Sequence, residues 1–377
     1  MERYLSINSF GKPIKNSLSS IISMKKNYCK NLCRIIVLTP FALFWLSNSF
    51  AQKNETVKIV PLSSQKKIDV IIGNKIFTSF LYPDTLEKPV LYPVHAANGT
   101  VVTRGFPMNP QPGDPTDHPH HLGIWFTYEN VNGLDFWNNS YAIPKEKKHL
   151  YGWIRTDKVL KTSSGEKGII SYHANWTNQQ KKVLLEETTK LEFSGTEHLR
   201  IIDRTTVLKA DTVVNFNDAK DGMYGMRIAH ALQIPSKKDE EFKDNKGNVT
   251  IVKGGTDTIA NGNYLTSEGK TGDDAWSTRG RWCEVYGKMG HDSVSIAIID
   301  HPGNPNYPTF WHARGYGLFA ANPLGEKIFT NGKSSKNLQL KKGELVVFRY
   351  RIVIDDGNKT LSVEDLNKLA DDFAKEN

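Results

Sequence analysis

The feature that most limits the fold of this chain is its punctuation. From Lys67 onward, short runs rich in Val, Ile, Thr, Tyr, Phe and Trp alternate with Gly, Asn, Asp and Ser, and helical periodicity is lacking until the C-terminus. β-branched and aromatic residues fit a pleated surface, and Asn-Gly or Gly-Asn pairs supply the positive φ that tight hairpins demand. Residues 67–72 alternate, Gly73-Asn74 turns the chain, and 75–81 returns. Residues 90–95 and 100–104 flank Asn98-Gly99. Residues 122–128 precede Asn132-Gly133, with a return at 134–137. The same grammar gives strands at 153–161, 168–176, 182–193, 199–208, 211–217, 224–234, 281–287, 293–300, 317–321 and 344–354. At the end, Ser362 and Asp365 form a capping box, and Leu366, Leu369 and Phe373 share one helical face.

Many strands joined by hairpin turns, without alternating helices, specify an all-β antiparallel fold. No fixed-period repeat is present, which argues against a propeller. The expectation is a large two-sheet sandwich over 52–377, one domain, with a polar insertion at about 236–272 and a C-terminal helix.

The first 51 residues read as something other than fold. Lys25, Lys26, Lys30 and Arg34 precede the apolar run 35–46, and Ser49-Phe50-Ala51 places small residues before a cut at Gln52. That order is a secretory signal, with Met24 as a plausible start. The run is shorter than the ~20 residues that span a bilayer. No Cys stands at the cut, which argues against a lipid anchor. A buried helix of the mature chain is the alternative reading. Export implies a periplasmic or secreted protein without stable membrane insertion.

Removing the signal changes the charge argument. The whole chain has 49 Lys and Arg against 40 Asp and Glu; the first 51 residues hold seven and one of these, leaving 42 and 39. No basic block or helix remains, so nucleic acid is excluded as a partner class. Cys29 and Cys33 leave with the signal, and Cys283 alone cannot form an intrachain disulfide. The core must therefore hold the chain, and its length is ample for a large one. Oligomeric state has no signature in the sequence.

Three stretches concentrate groups able to do chemistry. DHPHHLGIWF brings His118, His120 and His121 beside the aromatic run containing Trp125. Pro119 favours an extended His118, which would point His118 and His120 to one side and His121 to the other. Two His at i and i+2 on a strand are a metal-site spacing; a third ligand would come from His95, His230, His301 or His312. A divalent metal on His118 and His120, proton transfer or sugar hydrogen bonding by the histidines, and a structural role all remain open; no other cofactor is expected.

The second stretch is IIDHPGNPNYPTFWHARGYGLFAANPLG, with Asp300, His301, Trp311, His312 and Arg314 on a loop between apolar strands. Loops leaving a rigid scaffold are where sites are built. His312 and Arg314, at i and i+2, can face one pocket. Arg offers a planar fork to a carboxylate or vicinal hydroxyls, and Trp311 a flat surface for a sugar ring. The alternative is a capped loop with Arg314 paired to Asp300. The third stretch is YGMRIAHAL, in which Arg227 lies among apolar residues and His230 follows; a charge there requires a partner. Arg104 in VVTRGF has the same character.

Asp117, Glu129, Asp135, Glu284 and Asp300 are the candidate carboxylates. A glycosidase needs two of them facing across a bond, which a sequence does not reveal. A lyase or epimerase uses His or Tyr as acid and base, with Arg neutralising a substrate carboxylate, and this set of residues suits that chemistry better.

HPHHLGIWFTYENVNGLDFW, YPVHAANGTVVTRGFP, AWSTRGRWCEVYG and DHPGNPNYPTFWHARGYGLFAANPLG resemble a family of secreted bacterial proteins labelled "methane oxygenase PmoA" or a domain of unknown function. The resemblance spans most of the chain after the signal. It implies a β-sandwich similar to galactose mutarotase-like supersandwich folds and an association with exported sugar-degrading systems. It does not imply methane oxidation: a methane monooxygenase subunit crosses the membrane several times, and no apolar run near ~20 residues follows the signal.

Together these readings give an exported carbohydrate-active enzyme, a hydrolase, lyase or epimerase. His120 and His312 are the leading proton carriers, with His118 and His121 beside them. Arg104, Arg227, His230, Asp300, His301 and Arg314 are the polar substrate contacts, and Trp125 and Trp311 the stacking surfaces. A non-catalytic sugar-binding protein and a His-ligated metalloprotein are the alternatives.

Overall fold

The computed structural model describes residues 53–111, 114–243, 249–252, 255, 257–357 and 360–376. The expected signal segment, its Met24 start and its cut after Ala51 lie outside these residues, as do Pro112 and Gly113 of the loop before the histidines. Part of the polar insertion lies outside them as well.

In chain order the strands are β1 (Val57–Leu62), β2 (Lys67–Ile72), β3 (Lys75–Leu81), β4 (Val90–Val94), β5 (Ile124–Tyr128), β6 (Trp153–Ser163), β7 (Gly168–Thr177), β8 (Val183–Gly195), β9 (Leu199–Ala210) and β10 (Val214–Phe216). There follow β11 (Gly222–Arg227), β12 (Glu240–Lys243), β13 (Val249–Val252), β14 (Asn263–Thr266), β15 (Trp282–Met289), β16 (Asp292–Asp300), β17 (Phe310–Ala313), β18 (Leu318–Asn322), β19 (Leu338–Leu340) and β20 (Leu345–Asp355). The α-helices are α1 (Glu326–Phe329) and α2 (Val363–Phe373).

Two eight-stranded antiparallel sheets form the expected sandwich. The first runs β1-β2-β3-β4-β5-β11-β18-β17 and the second β14-β15-β16-β20-β9-β8-β7-β6. Alternation explains the packing. On β8, Leu185, Glu187, Thr189, Leu191 and Phe193 are buried, while Glu186, Thr188, Lys190, Glu192 and Ser194 are more open. Ile124, Phe126 and Tyr128 of β5 enter the same core.

Strands such as β5 and β16 break the alternation because both of their faces are covered. Every residue of β5 is buried: Trp125 faces away from the core into a second apolar cluster with Val90, Tyr92, Leu122, Trp137, Leu318 and Ala320. On β16, Ala297 and Ile299 face outward and pack under α2 through Leu366, Ala370 and Phe373. Helix α2 starts at Ser362, whose side chain accepts from the Asp365 N–H while Asp365 reciprocates. This is the capping box read from the sequence.

Between the sheets lies a buried charged pair, Glu187 with Arg204, and it is satisfied. Glu187 accepts hydrogen bonds from Tyr172 (2.8 Å), Trp176 Nε1 (2.8 Å), Thr189 (2.7 Å) and Arg204 (2.7 Å). Arg204 lies over the Phe126 ring at 4.5 Å.

Some strands end earlier than the residue pattern suggests. The expected strand 224–234 stops at Arg227, and residues 230–232 form a 3₁₀ turn. The expected return at 134–137 closes one antiparallel bridge, Val131 to Leu134, and Asp135 bridges in parallel to Tyr151 instead. Asn132 and Gly133 take the positive φ of a tight turn, after which Phe136 and Trp137 fold inward as a loop. Residues 263–266 of the polar stretch form β14, the edge strand of the second sheet.

Candidate functional site

The outer face of the first sheet gathers most of the chemistry-bearing residues. Cross-strand partners place Trp125 beside Gly225, Gly225 beside Ala320 and Ala320 beside His312, one row across four strands. The two small residues leave a low floor between Trp125 and His312. A Cβ on Gly225 would lie 2.8 Å from Trp137 and 3.0 Å from Trp125, so only glycine lets the indoles close over the strand here.

The histidine loop is built around Arg104. Its guanidinium donates to the carbonyls of Pro115 (3.1 Å), Asp117 (2.9 Å) and His118 (3.0 Å) and to the Asp117 carboxylate (2.9 Å). Wrapping three carbonyls around one side chain bends the loop. His118 takes φ +47°, and the His121 N–H donates to the His118 carbonyl at 3.0 Å. The expected extended strand with His118 and His120 on one side is therefore replaced by a turn. All three imidazoles converge on one side of that turn, with ring centroids 5.5, 4.8 and 4.3 Å apart.

A column of rings results. Tyr316 stacks on His118 at 5.3 Å, His118 on His121 at 4.8 Å and His121 on Trp125 at 5.1 Å, with interplanar angles of 2°, 2° and 14°. Beside the column, Asp117 receives Arg227 at 3.0 and 3.1 Å as well as Arg104 and the His118 Nδ1. Arg227 also reaches His121 Nδ1 at 3.2 Å and underlies Tyr316 at 4.8 Å. Burial works to raise the Asp117 carboxyl, but Arg227, His118 and Arg104 overcome it and hold it well below the usual carboxylate range.

The β17–β18 hairpin supplies the other wall. Gly317, at φ +93°, closes the turn, with its N–H donating to the Arg314 carbonyl at 2.8 Å. Arg314 lies over Trp276 at 4.6 Å and over Tyr316 at 5.7 Å. Trp276 meets His312 edge-on at 4.7 Å. His312 and Arg314 thus address the same indole, as their spacing implies. Among the described residues, no carboxylate lies within 4 Å of the Arg314 guanidinium. Arg314, Tyr316 and Trp276 line a cavity of about 800 Å³, with Lys237, Lys238 and Asp273 on its rim.

Burial separates the histidines by role. His120, His121 and His312 are pushed well below the usual imidazole range by desolvation, reinforced by neighbouring cations or imidazoles, so they are neutral near pH 7. His118 is the exposed one, its side chain 39% accessible. With Nδ1 on Asp117, its Nε2 is the nitrogen free for another partner. Two carboxyls are shifted the other way. Burial raises Asp221, 3.4 Å from His312, to about 7, and Asp135 to about 6. Lys88 is lowered by burial to about 8, and it donates to the Trp137 carbonyl at 2.8 Å.

Several expected site residues are placed elsewhere. Arg104 is fully buried and spent on the loop, so it supports the histidines from behind. Trp125 and Trp311 are buried, at 1% and 0% exposure; Trp311 faces the core because it alternates with His312 on β17. Neither presents a face to a sugar. Asp300 accepts from Asn304 and the Thr309 N–H, so the alternative capped loop with Arg314 paired to Asp300 does not form. His301 packs on Phe373 and bonds the Glu376 carbonyl, at the α2 side of the second sheet. His230 bonds Asp257 at 2.8 Å.

Among the described residues, the metal reading of His118 and His120 finds no third ligand. Among the described residues, no group of three or more His, Cys, Asp or Glu is placed to hold an ion.

Tyr316, Trp276, Asp221, Lys88 and Trp137 belong to the cluster and were not singled out by sequence. Tyr316 was within reach, two residues beyond Arg314. Asp221 sits in an ordinary polar turn, and nothing in its local pattern marks it.

A family model matches residues 67–371. The chain belongs to DUF6807, a family of unknown function. No curated protein matches this DUF6807 chain. Similar solved structures include the Slr1438 protein of Synechocystis sp. PCC 6803, at 9% identity and TM-score 0.35, covering 82% of this chain and 99% of that one. A GH36 alpha-galactosidase of Geobacillus stearothermophilus has 12% identity and TM-score 0.35, covering 81% of this chain; the DUF6807 chain spans 41% of that enzyme's length. A galactose mutarotase related enzyme of Lactobacillus acidophilus has 9% identity and TM-score 0.27, covering 80% of this chain and 99% of that one. At these scores the likeness carries no argument, and the sandwich rests on the strand pairing above. No helix among the described residues is long and apolar enough to cross a membrane.

Proposed function

We propose that this protein is an exported carbohydrate-active enzyme that moves protons on an oligosaccharide, with His118 as the group that meets the substrate. The observation that supports this most is the position of His118. It is the exposed imidazole of the cluster, its Nδ1 is fixed by Asp117, and it stacks on Tyr316, which lines the 800 Å³ cavity. A carboxylate on Nδ1 holds one tautomer and stabilises the imidazolium formed when Nε2 takes a proton. Trp276 and Tyr316 present aromatic edges and faces to a sugar ring, and Arg314, without a carboxylate partner among the described residues, presents its fork to hydroxyls or a carboxylate. Asp221, titrating near 7 beside His312, is suited to return the proton.

Elimination or epimerisation fits this set better than hydrolysis. Hydrolysis by paired carboxylates needs two free acids across the bond, and Asp117 is tied to two guanidiniums. The N-terminal charge and apolar order support export, which N-terminal sequencing of the mature protein would check against a start at Gln52.

The test is product analysis. The mature protein is incubated with a panel of neutral and acidic oligosaccharides, and products are read by mass spectrometry and by NMR for configuration. Loss of a general acid–base group lowers rate about 10²–10⁴-fold, and His118→Ala is expected to fall in that range. Unchanged turnover in His118→Ala overturns the assignment. Sugar that is retained but unmodified by the wild type favours a non-catalytic binding protein.

A further inference from the structure

We infer that the outer face of the second sheet carries a separate binding site for an acidic saccharide, centred on Trp153 and Arg155. Both residues lie on β6, the edge strand of that sheet. Ile154 between them is buried in the core, so strand alternation turns Trp153 and Arg155 outward. They line a cavity of about 750 Å³ with Asn175, Thr177, Gln179 and Lys181. The histidine site uses the outer face of the other sheet, and the two cavities share no lining residue.

The side chains sort into occupied and available. Lys148 lies 5.8 Å from the Trp153 ring but is committed to Asn139, Ser140 and Glu87. Asp157 is taken by His173 at 2.7 Å and Asn175 at 3.1 Å, and Asp84 by Lys66 at 2.6 Å. Arg155 has no carboxylate within 4 Å among the described residues, although burial, its main influence, lowers its pKa. Lys181 is exposed on the turn after Asn178.

Asp84 is thus offset by Lys66, Asp157 keeps its charge while bonded to His173 and Asn175, and with Arg155 and Lys181 both uncommitted the lining remains cationic. A half-buried indole beside an unpaired guanidinium, with Thr177 and Gln179 alongside, matches a ring that carries hydroxyls and a carboxylate. The indole covers the C–H face, the fork takes the carboxylate, and the hydroxyl and amide take the sugar's hydroxyls. A neutral sugar would leave the guanidinium with only the longer-range influence of Glu87 and Asp84 as counter-charge.

The experiment is isothermal titration of the mature chain with tetragalacturonate, with maltotetraose as the neutral comparison. A charge-assisted contact contributes enough that Arg155→Gln should weaken tetragalacturonate by about tenfold or more. Trp153→Ala should weaken it similarly. Lys181→Asn removes a charge while suiting the left-handed φ of +62°, and should weaken it by a smaller factor without perturbing the fold. Arg314→Gln should leave the Arg155-dependent binding unchanged even where it removes sugar from the histidine cavity, which separates the two sites. The inference is overturned if wild type does not bind tetragalacturonate, if maltotetraose binds as tightly, if Arg155→Gln and Lys181→Asn bind like wild type, or if Arg314→Gln abolishes binding.

Discussion

Asp117→Asn should be among the most damaging isosteric changes in this protein. The Asp117 side chain is 4% exposed, and the Arg104 and Arg227 side chains are 0% exposed, with contacts of 2.9 and 3.0 Å. Asn preserves shape but removes the one charge that offsets two buried guanidiniums. Breaking a buried ion pair by removing one partner costs about 3–5 kcal/mol, and here one carboxylate serves two cations. For a chain of this size a loss of that order lowers the melting temperature by about 5 °C. Differential scanning calorimetry at pH 7 measures it, with Glu186→Gln as a control. Glu186 pairs with Lys209 on the surface, and such pairs contribute about 0–1 kcal/mol. The wild type should show the matching acid signature. The Asp117 carboxyl is held below its unfolded value of 3.8, so its contribution is complete above pH 4 and is lost as pH falls toward the folded pKa. Asp117→Asn should lack that part of the acid transition. A loss below about 1 kcal/mol at pH 7 would refute the view that this triad carries the loop.

Two further outcomes follow from buried groups. Asp221 is raised to about 7 from 3.8, so its ionisation opposes folding, and stability falls as pH rises from about 4 through 7. Asp221→Asn should be more stable than wild type at pH 8, by on the order of 2 kcal/mol, in urea titrations at pH 5 and 8; equal stability at both values contradicts the assignment. Glu187→Ala strands Arg204 and the donors of Tyr172 and Trp176 in the core. It should cost about 3–5 kcal/mol, and a fully folded variant with unchanged denaturation midpoint would show that the network is dispensable.

The sandwich was legible because its signals are local. Lys67–Ile72 and Lys75–Leu81, joined by Gly73-Asn74, form β2 and β3 as read, and Ser362 with Asp365 caps α2 as read. The site was legible only in its ingredients. His118, His120, His121, Arg227, His312 and Arg314 do gather on one face, because β5, β11, β18 and β17 are neighbours in the first sheet. Sequence spacing misjudged their directions, since Arg104 draws three carbonyls around itself and bends the loop that Pro119 was expected to extend. It also overvalued Trp125 and Trp311. Both are aromatics on strands buried on both faces, where a large ring fills space between layers. Asp300 and His301 stand at the end of β16 in the other sheet, and their nearness to His312 along the chain does not survive the crossover. Asp221 has no periodic or motif signal, and Trp276 stood out only as part of the AWSTRGRWCEVYG resemblance; the fold brings both to His312.

The most direct measurement is a crystal structure of the mature protein with an oligosaccharide that it converts, using His118→Ala to hold the substrate intact. The expected result is a sugar ring against Trp276 and Tyr316, bonded to Arg314, with a reacting C–H or O–H facing the space vacated by the His118 imidazole. A substrate bound away from this cavity, or seated there with its reacting atom turned from position 118, would contradict the account.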